Sequence, residues 1–169
     1  MTNLSELQRA TFAKLDVRMS ELGFQRLRRF AYVSRMGPDA VAYVFCRPKK
    51  AGESFDIAPI VAVENLKLRA LMGEDEPRQD EPRFANLYLA HTVGRVHMSW
   101  NFSEVCNLGR ELESMIDAIL IGAIPFAQKW ATFEGAINLI ELAWAGRAPN
   151  GVVVHPTART AQVLRTLRA

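Results

Sequence analysis

Residues 95–102 read Arg-Val-His-Met-Ser-Trp-Asn-Phe. Val96, Met98, Trp100 and Phe102 fall on one parity, and Arg95, His97, Ser99 and Asn101 on the other. A β-strand sends successive side chains to opposite faces, so this segment reads as a strand with one buried and one polar face. Burial on one side only is the habit of an antiparallel sheet. Just upstream, Val93-Gly94 supplies a two-residue turn back to a segment that starts at Leu87. With that turn, Leu89 stands opposite Met98 and Leu87 opposite Trp100, which joins the two apolar faces. A slip by one residue brings in Tyr88 and Ala90 instead, a weaker core, so the first register is expected.

Further strands lie earlier in the chain. Gln25–Arg35, carrying Phe30, Tyr32 and Val33, reads as one strand, and Met36-Gly37-Pro38-Asp39 supplies turn chemistry after it. Ala40–Cys46 is apolar throughout, as expected of a strand covered on much of both faces. Pro48 to Gly52 breaks it, and Phe55, Ile57, Val61 and Val63 alternate in a third strand, with Pro59 at an edge or in a bulge. The links are short, so an antiparallel meander is the economical topology.

Helices flank the strands. Leu4, Leu7, Phe12, Leu15, Met19 and Leu22 recur mostly at steps of three and four, and Gly23 is a natural left-handed C-cap, which predicts a helix over 4–22. Glu64–Met72 is a candidate short helix, and the proline-broken acidic stretch Gly73–Arg83 reads as an exposed loop. Leu108, Leu112, Met115, Ile116, Ile119 and Leu120 trace one helical stripe. Pro125 belongs in the first turn of the next helical segment, where its missing N–H costs nothing. Thr132 caps a further helix through Trp144 that stops at Gly146, Pro149-Asn150-Gly151 turns the chain, and Thr157–Arg168 reads as a short basic helix. The expectation is a single α+β domain over residues 1–169: an N-terminal helix, an antiparallel meander sheet of about five strands, and C-terminal helices packed on one face.

Composition narrows the function. Of the 169 residues, 49% are hydrophobic and 23% charged, the balance of a chain that can build a core. Cys46 and Cys106 are the only cysteines, too few and too far apart for a disulfide framework or a metal-ligand cluster. The opening Met-Thr-Asn-Leu-Ser-Glu lacks the basic and apolar regions of a secretory signal. The longest apolar stretch, Ala118 to Ala127, has ten residues, well short of a membrane span. A cytoplasmic protein with reduced thiols and no membrane contact is expected.

Charge is segregated although the net value is only +3. Between Phe24 and Lys50 stand seven basic residues, Arg26, Arg28, Arg29, Arg35, Arg47, Lys49 and Lys50, against Asp39 alone. Glu74, Asp75, Glu76, Asp80 and Glu81 cluster around the single Arg78. Local fields of opposite sign steer charged partners, although each run also serves as an ordinary solvated face. The acidic run lacks the ligand spacing and central glycine of a calcium loop, so no metal is expected there.

Enzymatic constellations are missing from the pattern. No Gly-rich phosphate loop, Gly-x-Ser-x-Gly elbow, His-Glu-x-x-His helix or Cys-x-x-Cys occurs. In the preferred hairpin register His91 pairs with Val96 on the apolar face while His97 points to the polar face, so the two do not share a metal; a three-residue loop would let them meet. His155 has no carboxylate near it in sequence. Cys106 precedes a helix starting near Asn107 or Leu108, a position that lowers a thiol pKa, but no base is apparent. Cys46 reads as packing. No cofactor is expected. A nucleic-acid reading rests on Arg26, Arg28, Arg29 and Lys49-Lys50 flanking strands that bear Phe30 and Tyr32.

An amphipathic opening helix ending in Leu22-Gly23-Phe24 leads to a basic strand with Phe30 and a meander, then a strand bearing Trp100, a long helix, and Ile124-Pro125-Phe126 before a last capped helix. Over residues 4–145 this order resembles small bacterial α+β proteins of unassigned function, some of them found beside toxin genes. It is also similar in style to the immunity proteins of polymorphic-toxin, contact-dependent inhibition systems. The resemblance implies a non-catalytic protein-binding module that neutralises a cognate toxin C-terminal domain. The candidate contact residues are the acidic Glu74, Asp75, Glu76, Asp80 and Glu81, which suit a basic nuclease cleft, and the basic Arg28 and Arg29, which suit an acidic surface. A regulatory or nucleic-acid-binding domain, and an enzyme with an unrecognised site, are the alternatives.

Overall fold

The computed structural model describes residues 4–72, 85–94, 98–154 and 158–168. Helix α1 (Leu4–Glu21) buries Leu7, Phe12, Leu15 and Met19 along one face. Gly23 ends it at φ 79°, with Phe24 N–H donating to Met19 O (2.9 Å) and Gly23 N–H to Ser20 O (3.0 Å). That pair of bonds is a Schellman closure, available because glycine tolerates the left-handed conformation.

The strands form two sheets. In the larger, all pairs are antiparallel and the order is β1 (Gln25–Arg28), β2 (Ala31–Arg35), β3 (Ala40–Phe45), β6 (Ile60–Asn65), β7 (Ala85–Tyr88), β9 (Val152–Val154). In the smaller, β4 (Pro48–Ala51), β5 (Ser54–Ile57) and β8 (Trp100–Phe102) pair in that order. The α+β class and antiparallel pairing agree with the sequence, but the sheet of about five strands is a sheet of six with a second of three.

Several boundaries are corrected. The single strand expected over 25–35 is a tight hairpin turning at Arg29-Phe30. The third strand splits at Ala58-Pro59, sending Phe55 and Ile57 to the small sheet and Val61 and Val63 to the large one. Pro59 has no N–H to donate, and its carbonyl accepts from Leu89 N–H at 3.0 Å. The break at 48–52 contains β4 itself. The hairpin joining Leu87 to Trp100 does not form. β7 has β6 on one side and β9 on the other, so it has no free edge for β8, and Leu89 starts the one-turn helix α3 (Leu89–Thr92). Trp100 pairs instead with Ile57, and Phe102 with Phe55. The alternation itself was legible: Trp100 and Phe102 are buried and Asn101 is exposed, its Nδ2 donating to Asp56 Oδ1 at 2.7 Å. Met98, however, is 44% exposed, and residues 95–97 lie outside the described residues.

Helices α4 (Val105–Ala118), α5 (Ile124–Trp130) and α6 (Phe133–Trp144) share a core with α1 and one face of the large sheet, where Tyr32, Ala42, Val44, Val61, Val63 and Leu87 point. A π-helical turn, Ile119–Ala123, joins α4 to α5, and Pro125 sits at the start of α5. Widening the helix just before a proline accommodates the ring that an unbroken α-helix would clash with. Gly122 in this turn lies against α3; a Cβ there would come 2.8 Å from Thr92 Oγ1. Thr132 caps α6 by accepting from Gly135 N–H at 3.1 Å, as its sequence position predicts. Helices α2 (Leu66–Met72) and α7 (Ala158–Arg168) meet α6 in a second cluster around Leu68, Ile140 and Leu164. Asn65 holds the corner between: its Oδ1 caps α2 at Leu68 N–H (3.0 Å) and its Nδ2 donates to Ala131 O (2.9 Å).

Candidate functional site

The α1 flank next to its buried face carries Arg9, Phe12, Ala13 and Asp16, at the steps of three and four that align residues along a helix. Opposite it, the β1–β2 register sets Arg26 beside Tyr32, on the side that faces α1. Between the two opens a groove of about 390 Å³ lined by Arg9, Phe12, Ala13, Asp16 and Arg26, and by Arg29 and Phe30 of the hairpin turn.

Asp16 organises the groove. Its Oδ1 accepts from Tyr32 Oη and its Oδ2 from Arg26 Nη1, both at 2.7 Å. Tyr32 is 1% exposed, and burial together with the Asp16 hydrogen bond raises its phenol pKa well above the ordinary value. Phe30 supplies the wall. Its ring lies 4.5 Å from that of Phe12, and the Arg29 guanidinium sits 4.7 Å over its centroid. Phe30 also has φ 67°, and among the described residues no other non-glycine has positive φ. A bulky side chain in that region costs about 1–3 kcal/mol. Cys46 N–H donating to Phe30 O at 2.8 Å helps hold the turn in place.

The candidate contact residues are distributed unevenly. Arg29 is exposed at the turn and Arg28 is half-buried, paired across from Ala31. Glu74, Asp75, Glu76, Asp80 and Glu81 lie outside the described residues. The basic cluster is also split: Lys49 and Lys50 stand on β4 of the small sheet, while Arg26, Arg28 and Arg29 belong to the edge of the large one. Tyr32 is buried in the core, so it offers no stacking face to a nucleic-acid base.

Cys106 is exposed in the first turn of α4, and its thiol donates to Glu104 Oε2 at 3.1 Å. That hydrogen bond raises the thiol pKa, opposite to the lowering expected from its place at a helix start. Cys46 is fully buried, its pKa pushed up to about 12 by desolvation. His91 lies exposed on α3, its ring edge-on to Tyr88 at 6.4 Å, rather than on the apolar face of a hairpin. His97 and His155 lie outside the described residues, and among the described residues no three of His, Cys, Asp and Glu gather as a metal site. A buried carboxylate, Glu64, accepts from Tyr43 Oη (2.7 Å) and Arg69 Nη1 (2.9 Å), which satisfies its charge from two sides.

Arg9, Phe12 and Asp16 escaped the sequence reading as a site. On α1 alone they are an ordinary helix flank, and only the antiparallel return of β1 beside the helix brings Arg26 and Arg29 to them. No helix among the described residues is long and apolar enough to cross a membrane. No protein-family model, curated protein or solved structure matches the chain.

Proposed function

We propose that this chain is a non-catalytic protein-binding module of the bacterial cytoplasm that neutralises a cognate toxin C-terminal domain by covering it. The observation that carries this is the outer strand of the large sheet. Among the described residues β1 pairs on one side only, with β2, and it exposes Gln25, Arg26 and Leu27, with Leu27 52% accessible. An edge strand offers unpaired backbone donors and acceptors to a partner strand, and natural proteins that leave such an edge free guard it with charge. Here the charged residues are all basic, Arg26, Arg28 and Arg29, with Arg26 paired to Asp16. An acidic partner surface would be steered to them, which speeds association more than it deepens affinity. The resemblance of the element order to toxin-neutralising immunity proteins supports the same reading.

Capture of the chain from its source cell tests this. The expected result is one toxin C-terminal domain at one-to-one stoichiometry, lost or much slower to associate when Arg29→Glu and Leu27→Asp are introduced together. Both residues are exposed, so the fold should survive. Recovery of only the chain itself, or of nucleic acid, contradicts the proposal.

A further inference from the structure

The groove between α1 and the β1–β2 turn has the makings of a small-molecule site, and it shares Arg26 and Arg29 with the strand edge proposed to meet a partner. We infer that it binds a phosphomonoester carrying a flat aromatic ring, the chemistry of a nucleoside monophosphate.

Charge comes first. The groove holds Arg9, Arg26 and Arg29 against the single carboxylate of Asp16. Asp16 is committed, one oxygen to Tyr32 and the other to Arg26, so Arg26 is already neutralised. No described carboxylate lies within ion-pair distance of Arg9 or Arg29. Two guanidinium groups in one recess with no ion-pair partner among the described residues suit a dianion better than a monoanion. The guanidinium fork matches phosphate oxygens in pairs.

The walls and size come second. Phe12 and Phe30 form an aromatic wall next to these arginines, and a bare phosphate has no use for one. The volume of about 390 Å³ lies within the range of small-molecule pockets and is several times that of phosphate alone. The third argument is strain. The turn keeps a phenylalanine at φ 67°, where glycine would be free of strain. Strain of this kind collects where a side chain is needed in one place. Here the side chain lines the groove beside Phe12.

The inference does not rest on toxin neutralisation, and its test contains no protein partner. Calorimetric titration of the full chain with adenosine 5′-monophosphate, adenosine and inorganic phosphate separates the parts of the claim. Adenosine monophosphate should bind saturably at one site, more tightly than inorganic phosphate, and adenosine should not bind. Arg9→Gln or Arg29→Gln should each weaken binding by roughly tenfold, the loss of a charge-assisted contact, with an unchanged melting temperature. Arg110→Gln, an exposed charge on α4 outside the groove, should have no effect. The inference is overturned if adenosine monophosphate does not saturate, if inorganic phosphate binds as tightly, if only single-stranded oligonucleotides bind, or if Arg110→Gln weakens binding as much as the groove variants.

Discussion

Replacing Trp100 by alanine removes the largest fully buried side chain in the protein. The indole lies opposite Ile57 across the β5–β8 pair, its Nε1–H donates to Ser114 Oγ at 3.0 Å, and it is 0% exposed. It therefore joins the small sheet to α4. Truncating a buried tryptophan to alanine costs about 3–5 kcal/mol in lost burial and residual cavity. With a urea m-value of roughly 2–3 kcal/mol/M for a chain of this size, the midpoint should fall by about 1.5 M. The same loss lowers the melting temperature by roughly 6–20 °C. Trp130, 5% exposed, remains as a fluorescent reporter of unfolding. Trp144 is the internal control: at 47% exposure it has about half the burial to lose and no closed cavity to leave, so its replacement by alanine should cost roughly 1–2 kcal/mol, well short of the Trp100 loss. Equal midpoints for the Trp100 and Trp144 variants would refute the joining of the small sheet to α4 through Trp100.

Two further outcomes test other parts of the fold. Gly135→Ala should destabilise by about 1–3 kcal/mol through overpacking. Its Cβ would sit 2.1 Å from Lys129 O and 2.7 Å from Thr132 Oγ1, so the α5–α6 corner must open; a thermal melt matching the parent would contradict that packing. Stability should also fall as pH rises above about 9. The Cys46 thiol titrates near 9.0 in the unfolded chain and near 12 in the folded one, so between those values the folded state holds the extra proton. Tyr32, raised from 10.0, adds to the loss above pH 10. Urea midpoints from pH 8 to 11 should decline, and Cys46→Ala should flatten the earlier part of that decline; a level profile in the parent would contradict the burial of both groups.

Local signals were read well because their causes are local. Gly23, Thr132 and Gly146 end or cap helices through bonds and backbone angles within a few residues. The parity of Trp100 and Phe102 showed which face is buried. Parity does not choose a neighbour, however. Leu87 is buried equally well beside Val61 and Val152 as it would be opposite Trp100, so the hairpin expected from Val93-Gly94 was one of two solutions to the same pattern. β9 was missed because Val152–Val154 is short and finds its place only against β7. The groove was illegible for a related reason: Arg9 and Asp16 lie at least ten residues from Arg26 and Arg29, and no spacing rule connects a helix flank with a hairpin turn. Cys106 shows the opposite error, since a helix-start rule applied alone ignored the adjacent Glu104.

The central proposal is stoichiometric neutralisation without chemistry, and a titration tests it most directly. A fixed amount of the captured toxin domain is mixed with increasing amounts of the purified chain, and residual toxin activity is measured at each step. A straight decline to zero at one equivalent is the predicted result. Complete loss at a small fraction of an equivalent would mean that the chain acts as an enzyme, and undiminished activity at excess would mean that it does not neutralise the toxin at all.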